Sequence, residues 1–406
     1  MLTALSAGRV LGANDRIRVG LIGAGGRGNQ LWPVFVKQPG VEPVAVCDVY
    51  EPFVERAITV SEGKAKGYKD FRHLLDRQDI DAVIVAPPDH WHAIMTVMAC
   101  EAGKDVYVEK PLSLVAAEGR KMADAVRAHK RIAQTGSQQR SSAHYQEAVQ
   151  LIKEGGLGEV RQIKAGYTRN VYPGFKPLDV DASKLDWDLW LGPAPAVPFD
   201  PFRSIYHFRW FWDYSGGQMT NWGAHNLDIA RWIIGAKAPT KVSGVGGRYA
   251  LNDGGETPDV QEVLYDFPGC VVTWTGREIN EGHRMFLDIH GSKGTMELTR
   301  GGYRIRPEVV GQGKDRKPAM AEVEVASRND MVEAHIQNFL DCVRSRKTPN
   351  TDIEEGHQTS IVCHLGNLAT RLGRTMQWDA EKEKVIGDPE ANKALQPNYR
   401  KPWKLG

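Results

Sequence analysis

The chain has 406 residues, of which 41% are hydrophobic, so it can bury two ordinary cores and two domains are expected. Its 52 Lys and Arg residues nearly balance its 50 Asp and Glu residues, without a run of five like charges, which argues against a nucleic-acid-binding face. The five cysteines are scattered without a C-x-x-C pair, and no apolar stretch approaches the roughly 18 residues of a membrane span, so neither a disulfide framework, a metal site nor a membrane partner is expected.

Residues 1–15 have the composition of a leader. The segment MLTALSAGRVLGAN is rich in Ala, Leu, Gly and Ser and contains no acid. It is similar to the apolar region and cleavage zone of a secretory signal whose charged beginning is missing. Leu11 stands where a small residue would precede a cut at Ala13, which leaves a plain N-terminal extension as the alternative. We therefore expect an exported, periplasmic protein, and a cytoplasmic one if the segment is only an extension.

Residues 16–137 alternate short apolar runs with helical segments. The apolar runs are IRVGLI, EPVAVCD, AVIVAP, DVYVEK and RIAQT. Val- and Ile-rich runs of this length, each separated by one helix, are typical of a parallel sheet with right-handed crossovers. The sequence predicts an α/β domain with a doubly wound parallel sheet here.

A glycine-rich turn follows the first of these strands. Gly23, Gly25 and Gly28 form G-x-G-x-x-G directly before a helix, and Asp48 ends the second strand twenty residues after Gly28. In a Rossmann domain these glycines allow a tight turn, a close approach of the pyrophosphate and close packing of helix on strand, while the acid binds the ribose hydroxyls. This context predicts a dinucleotide site.

Asp48 also favours NAD over NADP as the cofactor. A 2′-phosphate beside this carboxylate would place like charges in near contact, and no Arg follows directly in Asp48-Val49-Tyr50-Glu51 to receive it.

Residues 138–378 have a different pattern. A helix and a strand lead into an aromatic, proline-rich loop over residues 171–215, which is long enough to form a wall of a binding site. Another helix and several alternating strands follow, two of them joined by the turn FPGC, so this part is predicted to be an α+β domain with antiparallel strands. Two helical segments end this part, and residues 379–406 follow as a polar tail.

Three further motifs carry a resemblance to a known family. They are APPDHWHA at 86–93, VEKPL at 108–112 and GGQMTNWGAHNLDIARW at 216–232. Together with the glycine turn, this set resembles the Gfo/Idh/MocA oxidoreductases, which include glucose-fructose oxidoreductase and inositol dehydrogenase. The resemblance implies a Rossmann domain, a second domain with a large, open, mainly antiparallel sheet, hydride transfer at a carbinol carbon of a sugar, inositol or glycoside, and a homo-oligomer assembled through that sheet.

The resemblance also implies the catalytic residues. Lys110 matches the family's active-site lysine, and His225 matches the histidine that handles the substrate proton with an aspartate four residues before it. This chain has Asn221 at that position. An amide can orient His225 but supports an imidazolium less well than a carboxylate does. Lys and His are also the side chains best suited to accept a hydroxyl proton near neutral pH. Whether Lys110 is a base or a cationic clamp stays open.

The remaining candidates extend these motifs. The expected cofactor-binding residues are Gly23, Gly25, Gly26, Arg27, Gly28, Asp48, Pro87, His90, Trp91, His92, Glu109, Lys110 and Gln139. The expected substrate contacts are Arg140, Tyr172, Arg209, Trp212 and His364. For His364 a place in the core is an equal alternative, and for Gln139 and Arg140 a surface role stays open.

The function expected from these observations is that of an NAD-dependent oxidoreductase acting on a small carbohydrate. One alternative is a redox-neutral glycosidase that uses bound NAD to oxidise, eliminate, hydrate and reduce in one cycle. The other is a non-catalytic NAD or sugar sensor, which the presence of Lys110 and His225 disfavours. If the leader is genuine, an upstream twin-arginine signal is expected, because a dinucleotide-binding protein must fold before export. A compartment without an NAD pool would then favour the redox-neutral chemistry.

Overall fold

The computed structural model describes residues 16–282 and 286–406, so the expectations for the leader lie outside the described residues. Within them no helix is both long enough and apolar enough to cross a bilayer.

The first domain is built on a six-stranded parallel sheet in the order β3-β2-β1-β4-β5-β6. Its strands are β1 (Ile17–Ile22), β2 (Val41–Cys47), β3 (Lys66–Tyr68), β4 (Ala82–Val85), β5 (Asp105–Val108) and β6 (Ala133–Thr135). The helices beside it are α1 (Gly26–Lys37), α2 (Glu51–Val60), α3 (Phe71–Leu75), α4 (His92–Glu101) and α5 (Ala116–Ala128). The strand order reverses between β1 and β4, and ligands of such sheets bind outside the carboxyl ends of the strands at this point.

The second domain contains a ten-stranded sheet in the order β16-β13-β12-β11-β7-β10-β9-β8-β17-β18. Its strands are β7 (Val160–Thr168), β8 (Lys241–Gly247), β9 (Val260–Phe267), β10 (Cys270–Arg277), β11 (Leu287–Gly291), β12 (Gly294–Thr299), β13 (Gly302–Pro307), β16 (Val323–Ala326), β17 (Met376–Asp379) and β18 (Lys384–Val385). A separate small pair consists of β14 (Val309–Val310) and β15 (Lys317–Pro318). Strands β7 and β10 pair in parallel, and the other neighbours in the large sheet pair antiparallel. The predicted fold class is confirmed, as is the hairpin at FPGC, where Phe267 pairs with Cys270.

Helices pack on one face of the large sheet, namely α6 (Ala143–Lys153), α8 (Ala224–Ile234), α10 (Ile353–Leu372) and α11 (Pro389–Ala394). Helix α7 (Trp187–Leu191) lies in the long aromatic loop, and α9 (Met331–Ser345) packs against the first domain. Burial alternates along β9 and β10, and the inward side chains Tyr265 and Trp274 are fully buried in one core with residues of α8 and α10. The outward residues of the same strands include Leu264, which is 50% exposed.

Two distant segments of the chain complete the first domain. Phe339 of α9 is fully buried, with its ring in edge contact with Phe35 and Tyr107. Near the C-terminus, Trp403 packs edge-on against Trp91, with ring centroids 4.7 Å apart. The two domains therefore share cores, because side chains far along the sequence fill spaces beside the first sheet.

Candidate active site

A cavity of about 620 Å³ lies at the carboxyl edge of the first sheet, between the two domains. One end is lined by the glycine turn and Asp48, and the other by Lys110, Asn221 and His225. The sequence-predicted residues that line it are Gly23, Gly25, Gly26, Arg27, Asp48, Pro87, Trp91, His92, Glu109, Lys110, Arg209, Asn221 and His225. The fold thus collects residues from motifs more than a hundred positions apart into one site.

The glycine turn has the shape that a phosphate group requires. Gly23 has φ +86°, and a Cβ there would lie 2.4 Å from the backbone nitrogen of Pro87. A Cβ on Gly28 would lie 1.9 Å from the carbonyl oxygen of Gly23, so Gly28 lets α1 pack on the turn and does not itself line the cavity. Gly26 faces open space, with no heavy atom within 4 Å of its added Cβ. The first amides of α1, which has no side-chain cap, face this space.

Asp48 is held rigidly at the end of β2. Its two carboxylate oxygens accept hydrogen bonds from the backbone amides of Ala24, at 2.7 Å, and Tyr50, at 2.9 Å. Burial raises the pKa of Asp48 to about 6, so it is largely ionised at neutral pH. Each oxygen keeps a lone pair for a further donor such as a ribose hydroxyl.

Sequence reasoning missed Arg56 at this end of the cavity. Its Nη2 donates to the carbonyl oxygen of Ala24 at 2.7 Å, and its guanidinium lies 4.6 Å from the centroid of the Phe53 ring. No Arg follows Asp48 directly in the sequence, and Arg56 comes from the second turn of α2, which begins at Glu51. No short motif around Asp48 reveals it, because its position depends on how α2 packs beside the glycine turn.

Glu109 and Arg27 form a buried ion pair beside the glycine turn. Arg27 Nε donates to Glu109 Oε1 at 2.8 Å. Although burial alone would raise the pKa of Glu109, Arg27 keeps it below its usual value. The pair joins the first turn of α1 to the loop that carries Lys110, and Arg27 Nη2 is buried with no hydrogen-bond partner in the described part of the chain.

Lys110 has the environment of a proton acceptor. Burial lowers its pKa to about 8, and the cations Arg209 and Arg27 act in the same direction. Its Nζ donates to the backbone oxygen of Asn221 at 3.0 Å and to Asn221 Oδ1 at 2.9 Å. One of the three donor positions of the ammonium group therefore remains for a ligand.

The side chain of Asn221 accepts a hydrogen bond from Lys110. The expectation that Asn221 orients His225 is therefore wrong. The segment Met219–Gly223 is a π-helical turn leading into α8. Because a π turn is wider than an α turn, residues four apart no longer lie on one face. Asn221 Nδ2 donates to Gln218 Oε1 at 3.2 Å, and Gln218 Nε2 donates to Glu278 Oε1 at 2.9 Å. This chain of donors fixes the amide so that Oδ1 faces Lys110.

His225 is buried and uncharged. Burial, followed by the cations Arg300, Lys110 and Arg27, lowers its pKa well below the usual value. Its Nδ1 has no hydrogen-bond partner among the described residues. A neutral imidazole of this kind can donate or accept a hydrogen bond to a substrate hydroxyl.

His92 links two loops at the cavity. Its ring nitrogens lie 2.7 Å from the carbonyl oxygen of Pro111 and 3.0 Å from that of Pro87. The ring thereby holds the loop after β4 against the loop that carries Lys110. His90, by contrast, does not line the cavity: its Nε2 lies 3.0 Å from the carbonyl oxygen of Trp190, and burial lowers its pKa to about 4.

The expected substrate contacts, apart from Arg209, lie outside the cavity. Arg140 is buried in ion pairs with Asp228, at 2.8 Å, and Glu355, at 3.0 Å. His364 lies inside α10 and is 7% exposed, which places it in the core.

Three more candidates do not line the cavity, namely Tyr172, Trp212 and Gln139. Tyr172 is 65% exposed. The backbone amide of Trp212 donates to Glu256 at 3.0 Å, and Arg371 lies 4.5 Å from its ring centroid. Gln139, expected at the cofactor, instead accepts a hydrogen bond from Arg300 Nε at 3.2 Å.

Two arginines line the cavity and lie against aromatic rings. They lie near Lys110 and His225, and this part of the cavity is called its catalytic end below. The guanidinium of Arg209 lies 4.6 Å from the ring centroid of Tyr206 and 4.5 Å from that of Phe208. That of Arg300 lies 4.4 Å from the ring centroid of Trp222. Arg300 was missed by sequence reasoning because it follows an ordinary strand, β12, with no motif around it.

One cluster has the composition of a metal site. Glu354, His357 and Glu383 bring one ligand atom each within 4.8 Å of one another. Arg120 pairs with both carboxylates, at 2.7 Å and 2.6 Å, and His357 Nε2 lies 2.9 Å from Glu383, so these groups already contact one another and a cation. The cluster is an ion-pair network that joins α5 to α10, outside the cavity.

The donor set fits a nicotinamide dinucleotide. The open cradle at Gly26, the cation of Arg27 beside it and the carboxylate of Asp48 match a pyrophosphate and a ribose diol.

Comparisons with known proteins agree with this interpretation. Residues 17–137 match the Gfo/Idh/MocA model described as "Oxidoreductase family, NAD-binding Rossmann fold". Residues 165–405 match the model of the same family's C-terminal alpha/beta domain.

Individual relatives show the same pattern. The chain is 28% identical over 355 residues to scyllo-inositol 2-dehydrogenase (NAD(+)) of Bacillus subtilis, covering 85% of this chain and 91% of that protein. It is 30% identical over 176 residues to a glycosyl hydrolase family 109 protein of a Shewanella species, covering 41% of this chain and 38% of that protein.

Solved structures share the fold. A levoglucosan dehydrogenase in complex with NADH and levoglucosan aligns with a TM-score of 0.71 and 18% identity, covering 89% of this chain and 99% of that one. An aldose-aldose oxidoreductase of Caulobacter crescentus aligns with a TM-score of 0.68 and 20% identity, with the same coverage. With both of its domains matched, the chain belongs to the Gfo/Idh/MocA family of NAD-binding oxidoreductases.

Proposed function

We propose that this protein oxidises a secondary alcohol of a small carbohydrate or cyclitol, with NAD as the hydride acceptor. The observation that carries the proposal is Lys110, a buried amine with a pKa of about 8 at the catalytic end of a dinucleotide-shaped cavity. The bound nicotinamide supplies the hydride-accepting ring. The protein must supply a base for the hydroxyl proton and a group that holds the oxygen.

Lys110 and His225 divide these tasks. In its neutral form Lys110 takes the hydroxyl proton, while Asn221 Oδ1 holds the resulting ammonium at 2.9 Å. The neutral imidazole of His225 donates a hydrogen bond to the same substrate oxygen. Trp222 packs beside His225, with ring centroids 5.9 Å apart, and limits the positions that the imidazole can take.

A direct assay tests the proposal. Purified protein is incubated with NAD and a panel of aldoses, glycosides and inositols, and the absorbance of the reduced nicotinamide is followed. Lys110→Met, which keeps an unbranched side chain one atom shorter and removes the base, should lower turnover by roughly 10²- to 10⁴-fold with NAD affinity unchanged. Equal turnover by this variant and the native protein would exclude Lys110 as the base.

We propose NAD rather than NADP on the position of Asp48. Both of its oxygens are fixed by backbone amides, so the carboxylate cannot swing away from a 2′-phosphate. Arg56 is held by the carbonyl oxygen of Ala24 and by the Phe53 ring. We therefore assign the preference for NAD over NADP to Asp48.

A second candidate function is the redox-neutral cleavage of glycosides, in which the cofactor is restored within each cycle. Leu178 and Val180 of the long loop line the cavity together with Tyr50, so the loop narrows access to the dinucleotide site and favours slow exchange of the cofactor. The amide of Asp186 donates to the carbonyl oxygen of Val49 at 3.0 Å, and Lys69 lies 3.6 Å from the Asp186 carboxylate. Release of sugar from 4-nitrophenyl glycosides at catalytic NAD, without net reduced cofactor, would support this function. Stoichiometric accumulation of reduced cofactor would support the ordinary dehydrogenase.

We also propose export and self-association. Export rests on the leader-like composition of residues 1–15 and is tested by fractionating cells that express the full gene. Self-association rests on the outward face of the large sheet, where Val245, Leu264 and Val271 are exposed. Light scattering on the purified protein tests it, and a monomer at micromolar concentration would refute it.

A further inference from the structure

We infer that the substrate carries an anionic group, a carboxylate or a phosphate, which Arg209 and Arg300 bind beside Lys110. This inference rests on the proposed oxidoreductase function and names the class of its substrate.

The first observation is an excess of positive charge at the catalytic end of the cavity. Lys110, Arg209 and Arg300 line it, and within residues 16–282 and 286–406 no Asp or Glu forms an ion pair with any of them. Two acids lie nearby. Glu109 is paired with Arg27, and Asp89, which accepts a hydrogen bond from the hydroxyl of Ser215 at 2.5 Å, can offset only one of the three positive charges.

Both guanidinium groups are fixed before any ligand arrives. Arg209 lies against the rings of Tyr206 and Phe208 and donates to the carbonyl oxygen of Tyr206 at 3.0 Å. Arg300 lies on Trp222, which in turn stacks on Tyr167 with centroids 4.4 Å apart. A planar donor group held in this way loses little entropy when it binds a carboxylate or a phosphate.

Arg300 keeps one donor for a ligand. Its Nε donates to Gln139, and its Nη2 is enclosed by the protein. Its Nη1 forms no hydrogen bond within the described chain and is the donor left to an anionic ligand.

The pyrophosphate does not need the two arginines, because the first turn of α1 and Arg27 line the cavity and offer donors of their own. Arg300 lies within electrostatic reach of both Arg27 and His225. Besides burial, the charge of Arg209 lowers the pKa of Lys110, and the charge of Arg300 lowers that of His225. Each arginine therefore lies within electrostatic reach of one catalytic candidate, where the substrate must bind.

The test compares sugars that differ only at one terminal carbon. Glucose, glucuronate and glucose 6-phosphate form one set, and the galactose and mannose series form two more. For the native protein, kcat/KM should be at least roughly 100-fold higher for the acid or the phosphate of one set than for its neutral sugar. A preference for the acid identifies the carboxylate as the anionic group, and a preference for the phosphate identifies the phosphate.

Substitutions of the two arginines test whether they produce the preference for the anionic sugar. Arg209→Gln and Arg300→Gln should each lower the ratio of kcat/KM for the anionic sugar to kcat/KM for the neutral sugar by roughly 10- to 100-fold. The ratio is compared on the plateau of the pH profile, because the two charges also act on the pKa values of Lys110 and His225. Arg300→Lys should recover part of the loss, because the charge remains and the planar donor pair does not. Arg56→Gln is the matched control: it removes a cation from the other end of the same cavity and should not change the ratio of anionic to neutral sugar.

Three results would overturn the inference. If the native protein prefers the neutral member of every set, the proposed function stands and the anionic substrate fails. If the Arg209 and Arg300 variants weaken NAD binding as much as they weaken use of the anionic sugar, these residues serve the cofactor. If no sugar is oxidised, the proposed function fails together with the inference.

Discussion

Replacing Asn221 by Asp should move the pH dependence of the reaction through Lys110. Asn221 Oδ1 lies 2.9 Å from Lys110 Nζ, so the substitution places a negative charge against an ammonium group whose pKa is about 8. Unit charges about 4 Å apart attract by about 4 kcal/mol at an effective dielectric constant of about 20, which corresponds to about three pKa units. Burying the new carboxylate offsets part of this attraction, so the pKa of Lys110 should rise by roughly one to three units.

The change has a measurable size at a single pH. With a pKa of about 8, roughly a quarter of Lys110 is neutral at pH 7.5. A pKa raised by one to three units lowers that fraction roughly 10- to 1,000-fold, and kcat/KM should fall with it. Because the folded pKa rises, the neutral base returns only at higher pH, so the rising limb of the profile should move up by the same amount and the plateau should recover.

Profiles of kcat/KM between pH 6 and pH 11 are the assay. Gln30→Glu is the matched control, since it adds a carboxylate to the same cavity, where Gln30 contacts Arg27 at 3.1 Å. The shift should persist when His225→Gln is combined with Asn221→Asp, because His225 does not contact Asn221. An unmoved profile, or a shift no larger than that of Gln30→Glu, would refute the assignment of Lys110 as the titrating base.

Three further predictions concern separate parts of the molecule. His225→Ala should lower turnover roughly 10²-fold or more with unchanged NAD affinity, and stopped-flow assays of single-turnover oxidation should locate the loss in the chemical step; a native rate would make His225 structural. Asp48→Ala should narrow the preference for NAD over NADP in titrations of the apoprotein, and equal affinities for the two cofactors in the native protein would contradict the role of Asp48. Phe339→Ala should lower the free energy of unfolding by about 3–5 kcal/mol in urea denaturation, because it empties a fully buried site between α9 and the first sheet. Leu264→Ala on the exposed sheet face should change it by less than about 1 kcal/mol, and equal effects of the two substitutions would mean that α9 is not part of that core.

The site was predicted best where a motif is contiguous. The glycine turn, Asp48 and the segment Glu109-Lys110 each combine with a strand end, and the carboxyl ends of parallel strands meet at one edge of a sheet. Local spacing is therefore enough to place these residues together. Arg140 and Trp212 were predicted to contact the substrate because arginine and tryptophan often bind sugars. Their positions are instead determined by contacts with Asp228 and Glu256, which no local sequence pattern reveals.

The sequence by itself determined the alternation of strands and helices in the first domain, the glycine turn and the place of Lys110 after a strand end, because these depend on local spacing. The catalytic roles of Lys110 and His225 came from the family resemblance and stay predictions. Only the tertiary structure shows that the side chain of Asn221 binds Lys110. This contact depends on a π-helical turn and on the hydrogen-bond partners Gln218 and Glu278, which are brought in by folding. The tertiary structure also decided that Arg300 lines the same cavity as Lys110 and His225, since the position of a strand-end residue in a ten-stranded sheet is fixed by pairing between distant segments and by the packing of the sheet against the other domain.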